Sequence, residues 1–310
     1  SVLRVSGSGS FETGRFVGFA KGSRVTPWSR SRRKVIQPTA TGSVFEAGGG
    51  IYRVQLDDGA EIHASLRGRL KQSGNPVVTG DRVSVLEGQD VWTIESVEPR
   101  KTELVRRGRG GRNAKVLVAN LDRVFAVLAL GQPPVSLDLI DRLLVLIEAS
   151  GMSPILVLNK LDLDGAPTMA SEFKSLYEGI DYKTLSVSAV TGDGLEPLRS
   201  EIMLGASVLI GPSGVGKSSL LNALDPELGL RTHALSRKSG GGRHTTVSSR
   251  MIRLTGGGLI ADTPGFSDIA LWEVVPEELA SCFPEFSGPA SMCRFRSCTH
   301  VEEPHCGVRT

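Results

Sequence analysis

Ser207-Val-Leu-Ile210 runs directly into Gly211-Pro212-Ser213-Gly214-Val215-Gly216-Lys217-Ser218-Ser219, and that stretch into Leu220-Leu221-Asn222-Ala223-Leu224. A short apolar run, a glycine-rich loop closing on Lys-Ser, and apolar residues at helical spacing predict strand, loop and helix in that order. This is the setting that a phosphate-binding Walker A loop needs. The residue types follow from the chemistry. Glycines let successive backbone N–H groups turn inward around an anion, and the helix N-terminus adds positive partial charge. Lys217 is suited to reach the β and γ oxygens of a nucleoside triphosphate, and the Ser218 hydroxyl to ligate Mg²⁺. Gly211 to Ser219 is therefore the candidate phosphate site, with Lys217 also a candidate catalytic group.

The residues upstream indicate the sheet that carries this loop. Val124 to Leu130 is a continuous apolar run, and Leu139, Leu143, Leu146 and Ile147 share one helical face, with Ser136 as N-cap and Gly151 at the end. Pro154 to Leu158, Thr184 to Val187 and Ser207 to Ile210 read as further strands, with a helix at Thr168 to Glu178. Apolar strands alternating with helices predict a parallel α/β sheet covered on both faces. Ligands of such sheets lie beyond the carboxyl ends of the strands.

Three more motifs fall at those ends. Asp262-Thr-Pro-Gly265 closes the run Leu259 to Ala261 and is the expected second metal and γ-phosphate element. Asn159-Lys160-Leu161-Asp162 follows Leu158. There the Asp162 carboxylate can accept from both N1–H and the exocyclic amine of guanine while Lys160 lies along the ring, and adenine cannot present two donors to it. Ser188-Ala189 resembles the loop whose backbone N–H reads guanine O6. Together these residues select GTP over ATP, because the wrong base leaves a buried acceptor unpaired.

The guanine-reading residues precede the phosphate loop, whereas ordinary GTPases place them after it, so the domain reads as circularly permuted. Chain order does not matter to a site, but the chain now leaves the domain directly after Asp262-Thr-Pro-Gly265, which joins a phosphate sensor to whatever follows. Phe266 stands where many GTPases carry a water-orienting glutamine, so intrinsic hydrolysis should be slow. Ser239-Gly-Gly-Gly-Gly-Arg-His-Thr-Thr246 is placed as the first switch. Thr245 or Thr246 would meet Mg²⁺ and γ-phosphate, with Ser218 and Asp262 as the other magnesium residues, and Asp262 acting directly or through water. His244 would position water; a solvent- or RNA-facing loop residue is its competing reading.

All four cysteines, Cys282, Cys293, Cys298 and Cys306, lie near the C-terminus. Cys293, Cys298, His300 and Cys306 offer the Cys₃His set of a closed, structural Zn²⁺ site. Cys282 reads as a buried helix cysteine, and His305 as a rival to His300. From about 41 to 108, short alternating runs separated by turns, including Asp57-Asp58-Gly59, predict about five strands closing a small barrel. The pattern suits an OB-fold and nearly as well an SH3-like barrel. Arg100 to Lys115 carries seven basic residues among glycines and reads as a flexible linker that tracks RNA phosphates or is simply solvated. Residues 1 to 40 hold eight Lys or Arg against Glu12 alone and read as a basic arm touching RNA, a solvated tail or a transit-peptide remnant.

With 310 residues, a net charge of +3 and 40% hydrophobic residues, the chain has the composition of a multidomain globular protein. It contains no apolar run near the roughly 18–20 residues of a bilayer span, so no membrane partner is expected. The permuted order of Asn159 to Asp162, Gly211 to Ser219, Gly242-Arg-His-Thr-Thr246 and Asp262 to Phe266, behind a small barrel and ahead of the cysteine cluster, resembles the RsgA (YjeQ) family. The resemblance runs from about residue 41 to 310. Behind the flexible basic arm that composition assigns to 1–40, it implies an OB-fold over 41–108, a circularly permuted P-loop GTPase domain over 112–270 and a zinc-binding domain over 271–310. The family's helical tail past the zinc cluster is expected to be truncated here. It further implies a late assembly factor of the small ribosomal subunit that binds rRNA, is stimulated by that particle and is released on GTP hydrolysis. A nucleotide-gated RNA scaffold with incidental hydrolysis is the alternative. A monomer in the cytoplasm is expected, with plastid or mitochondrion as the other compartments.

Overall fold

The structure, a computed structural model, describes residues 40–72, 74–88, 91–106, 115–230, 249–263, 274 and 276–309. The arm and linker residues 107–114 lie outside them, as do His244, Thr245, Thr246, Gly265 and Phe266.

The barrel consists of β1 (Ala40–Gly48), β2 (Ile51–Leu56), β3 (Glu61–Leu66), a short helix α1 (Gly68–Gln72), β4 (Arg82–Leu86) and β5 (Trp92–Val97). Alternation along the strands sends Val44, Val54, Ala64, Val83, Val85 and Ile94 into one apolar core. At the first hairpin Gly59 takes φ 92°, and the Asp58 carboxylate accepts from Ala60 N at 2.9 Å. β1 pairs with β2 on one side and β4 on the other, while β3 pairs with β5 in parallel, giving the closed order 1-2-3-5-4-1. This pairing with a helix between β3 and β4 is the OB arrangement, which decides between the two barrels that alternation alone left open.

The basic stretch after the barrel is not simply a linker. Glu103–Arg106 forms β6, which pairs antiparallel with β7 (Lys115–Ala119) as a separate two-stranded sheet. Arg100, at the start of the stretch, is engaged inside the protein. Its Nε lies 2.7 Å from Oδ1, and a terminal nitrogen 3.0 Å from Oδ2, of the fully buried Asp81. Val78 N donates to the same carboxylate at 2.8 Å. A buried carboxylate needs such a charged, bidentate partner, and composition could not show that Asp81 supplies the demand.

The α/β domain follows: β8 (Arg123–Ala129), α2 (Leu137–Glu148), β9 (Pro154–Asn159), α3 (Ala166–Glu178), β10 (Thr184–Ser186), α4 (Leu195–Ile202), β11 (Ala206–Ile210), α5 (Lys217–Leu224), β12 (Arg250–Arg253) and β13 (Leu259–Asp262). Strands β10-β9-β8-β11-β13 are parallel in that order, and β12 flanks β13 antiparallel. Along β8, Val124, Ala126 and Leu128 pack with α2 and α3, while Phe125, Val127 and Ala129 pack with α4 and α5. Both faces are covered, as continuous apolar strands require. Ser136 caps α2, its side chain accepting from Leu139 N. Neither α4 nor β12 was expected: α4 is short, and β12, Arg-Met-Ile-Arg, carries only two apolar residues.

β12 also meets the barrel, Arg250 pairing with Glu46 of β1. Phe45 is covered there by the guanidinium groups of Arg53 and Arg253, 5.8 and 5.9 Å from its ring centre. The C-terminal segment comprises 3₁₀ turns at Pro276–Cys282 and Pro284–Phe286, then α6 (Ser287–Ala290). Cys282 is buried, in a 3₁₀ turn rather than an α-helix. Among the described residues no helix is long and apolar enough to cross a membrane.

Candidate nucleotide-binding site

The phosphate loop leaves β11 at Gly211 and enters α5 after Gly216, both with positive φ, 151° and 97°. A Cβ at Gly211 would collide with the Val127 carbonyl oxygen of β8, and one at Gly216 with the Asn159 side-chain amide. Here glycine is demanded twice, by conformation and by close approach. The first turn of α5 has no side-chain cap, which leaves its N–H groups to an anion. Lys217 folds over the loop, its Nζ donating to the carbonyls of Gly211 at 2.8 Å and Pro212 at 2.9 Å. Ser218 at the start of α5 is nearly buried.

Asn159 ends β9 and is buried. Its Nδ2 donates to the Val215 carbonyl at 2.8 Å and its Oδ1 accepts from Ala189 N at 3.3 Å. One side chain thus ties the phosphate loop to the Ser188-Ala189 loop. Lys160 takes φ 68°, a left-handed turn that carries the chain away from the strand, and its Nζ donates to the Gln132 carbonyl. Asp162 Oδ1 accepts from the Ser188 hydroxyl at 2.6 Å, and that hydroxyl accepts from Val190 N and Thr191 N at 3.2 and 3.1 Å. The Ser188 side chain therefore aims the Asp162 carboxylate, a task that the sequence pattern, concerned with the backbone of this loop, did not reveal.

Asp262 ends β13, one strand over from β11, level with the residues just before the loop. Its Oδ2 accepts from Arg250 Nε at 3.1 Å. Sequence reasoning did not single out Arg250; its only signal is a basic residue in the strand that follows the switch. The Ser218 hydroxyl in the first turn of α5 and the Asp262 carboxylate at the end of β13 are hard oxygen donors of the kind Mg²⁺ prefers. The described residues thus bring Asn159, Lys160, Asp162, Ser188 and Ala189 to the same end of the sheet as Gly211 to Ser219 and Asp262.

At the C-terminus the ligand atoms of Cys293, Cys298, His300 and Cys306 all lie within 4.8 Å of one another. His300 Nδ1 is 3.6 Å from Cys293 Sγ and 3.4 Å from Cys306 Sγ. Tetrahedral Zn²⁺ with S at about 2.3 Å and N at about 2.0–2.1 Å would separate those atoms by about 3.6 Å, so the donor set fits. His305 is not in the cluster. Burial pushes the Cys306 thiol up, but hydrogen bonds from His300 and the backbone of Val308 and Arg309 outweigh it and bring it to about 7. The His300 ring packs edge-on against Phe286, which stacks on Phe283, so the cluster and the short apolar turns brace each other.

A phosphate loop and a guanine-type loop on one parallel sheet, in inverted chain order and behind a five-stranded barrel, define a circularly permuted P-loop GTPase. Comparison with known proteins agrees. Residues 97–272 match the family described as RsgA GTPase. The chain is 43% identical over 278 residues to the small ribosomal subunit biogenesis GTPase RsgA of Gemmatimonas aurantiaca, covering 87% of this chain and 90% of that protein. It is 40% identical over 268 residues to the protein of that name from Moorella thermoacetica, covering 86% and 88%. Among solved structures it is similar to YjeQ from Thermotoga maritima, with TM-score 0.73 and 33% identity over 87% of this chain and 90% of that one. It is also similar to YloQ, a circularly permuted GTPase, with TM-score 0.68 and 30% identity over 91% and 90%. The chain belongs to the RsgA GTPase family.

Proposed function

We propose that this protein hydrolyses GTP to GDP and phosphate as a late assembly factor of the small ribosomal subunit, and that it binds rRNA and leaves when GTP is hydrolysed. The observation that carries the guanine specificity is the Ser188 hydroxyl bonded to Asp162, which orients one carboxylate oxygen and leaves the other lone pairs for the two adjacent donors of guanine. The ribosomal part rests on the names of relatives near 40% identity over most of the chain.

In this reading the N–H groups of Gly211 to Ser219 and the Lys217 ammonium hold the phosphates, Asn159 keeps the two loops in register, and Lys160 flanks the base. Ser218, Asp262 and Thr245 or Thr246 would hold Mg²⁺, which neutralises charge on the β- and γ-phosphates when bound. His244 would orient the attacking water, and turnover is slow until the small subunit stimulates it. Cys293, Cys298, His300 and Cys306 would hold one structural Zn²⁺. The accompanying division places an arm up to residue 40, a barrel over 41–108, the GTPase domain over 112–270 and a zinc module from 271, in a monomer acting in the cytoplasm. The β6·β7 pairing spans the join between barrel and GTPase domain.

The test is turnover of GTP and of ATP with and without purified small ribosomal subunits. GTP hydrolysis raised many-fold by the particle, with ATP inert, is the expected result. Nucleotide-dependent binding to the particle without stimulation would replace the enzyme with a scaffold, and ATP turnover equal to GTP would remove the guanine reading.

A further inference from the structure

Arg250 belongs to none of the motifs above, yet it holds the carboxylate that those motifs assign to the metal. Its Nε is 3.1 Å from Asp262 Oδ2, the two residues being direct cross-strand partners on β12 and β13. On its other side Arg250 pairs with Glu46 of the barrel strand β1. The carbonyl of the preceding residue, Ser249, accepts from the buried Thr79 hydroxyl at 2.6 Å, again from the barrel. Arg250 therefore lies between two acidic residues, on a backbone anchored by the barrel.

We propose that Arg250 is a positioning residue that competes with Mg²⁺ for Asp262 and so sets how much Mg²⁺ the nucleotide complex needs. The inference rests on the reading of Asp262 as a magnesium-side carboxylate. A guanidinium on one carboxylate oxygen withdraws negative charge from the metal side and places a positive charge near a divalent cation. For the cation to draw on Asp262, Arg250 must yield, and its half-exposed side chain is free to turn to solvent, on the side where Glu46, 3.6 Å from Arg53 Nε, lies opposite in register. The Arg250 side chain is half exposed and that of Asp262 is 17% exposed, so the pair is weak enough to open and close. Since Arg250 is fixed to the barrel through Ser249, the magnesium requirement becomes a property that the barrel can adjust.

The experiment measures dissociation of a fluorescent GDP analogue from the intact protein while Mg²⁺ is titrated against a chelator. The readout is the Mg²⁺ concentration at half-maximal slowing, with thermal unfolding recorded alongside. Arg250→Gln should lower that midpoint by about 3- to 10-fold, the size expected for removing one charge a few ångströms from a divalent ion in partly solvated, screened surroundings. Arg250→Lys, which keeps the charge, should stay within about twofold of the native midpoint. An unchanged or raised midpoint in Arg250→Gln overturns the proposal and leaves Arg250 an ordinary cross-strand ion pair. Asp262→Asn separates the two levels. If it leaves the magnesium dependence native, the reading of Asp262 falls; if it shifts the midpoint and Arg250→Gln does not, only the role of Arg250 falls.

Discussion

Replacing Asn159 with alanine tests whether nucleotide affinity depends on a side chain that positions the loops. Asn159 is buried and makes two hydrogen bonds, to the Val215 carbonyl at 2.8 Å and from Ala189 N at 3.3 Å. Each neutral bond contributes about 1 kcal/mol, and a buried partner left orphaned costs about 1–3 kcal/mol. The variant should therefore lose about 2–4 kcal/mol of local order. In the free protein the two loops relax and water reaches both orphaned groups, recovering roughly half of that; binding must then restore the geometry. About 2 kcal/mol should appear in affinity, roughly a 30-fold rise in the Kd for GDP. Calorimetric titration with GDP measures it. The control is Asn120→Gly, which removes a matching pair of bonds to backbone, from Nδ2 to Gly80 O and from Lys101 N to Oδ1. Glycine there keeps the φ of 55° unstrained. Asn120 lies at the junction with the barrel, so its variant should lose stability and keep its GDP affinity. A Kd within about threefold of native in Asn159→Ala, or an equal loss in Asn120→Gly, would refute the reasoning.

Other outcomes follow from the same geometry. Asp162→Asn replaces an acceptor with an amide, so GTP should bind at least about a hundredfold more weakly while xanthosine triphosphate, which presents an acceptor at that position, should gain, as measured by competition against a fluorescent nucleotide. Stripping metal with a chelator, or Cys298→Ser, should make residues 276–309 sensitive to limited proteolysis while the α/β domain resists. Native mass spectrometry should show one zinc per untreated chain. Glu201 is bonded to Lys183 and Arg123, and these partners hold its carboxyl below the ordinary value. A lowered folded pKa stabilises fully above the unfolded value and less as pH falls through the folded one. Glu201→Gln should thus cost about 1–3 kcal/mol near neutral pH, the difference from native shrinking below about pH 4, as followed by denaturant unfolding.

The elements and motifs that sequence made legible are those whose physics is local. The phosphate loop needs contiguous glycines, a lysine and a helix start. The parallel sheet shows itself in unbroken apolar strands such as Val124 to Leu130, and the metal cluster in three cysteines and a histidine within 14 residues, Cys293 to Cys306. Even the inverted order of the motifs is visible along the chain. What only the folded chain decides is pairing between residues far apart in it. The barrel's closure depends on β1 meeting both β2 and β4, which alternation cannot distinguish from other closures. Asp81 drawing Arg100 out of a basic run, Ser188 turning its hydroxyl to Asp162, Asn159 spanning two loops and Arg250 meeting Asp262 are side-chain contacts made by tertiary packing. Their energies depend on burial and on distances of about 3 Å, and neither quantity exists until the strands are set side by side.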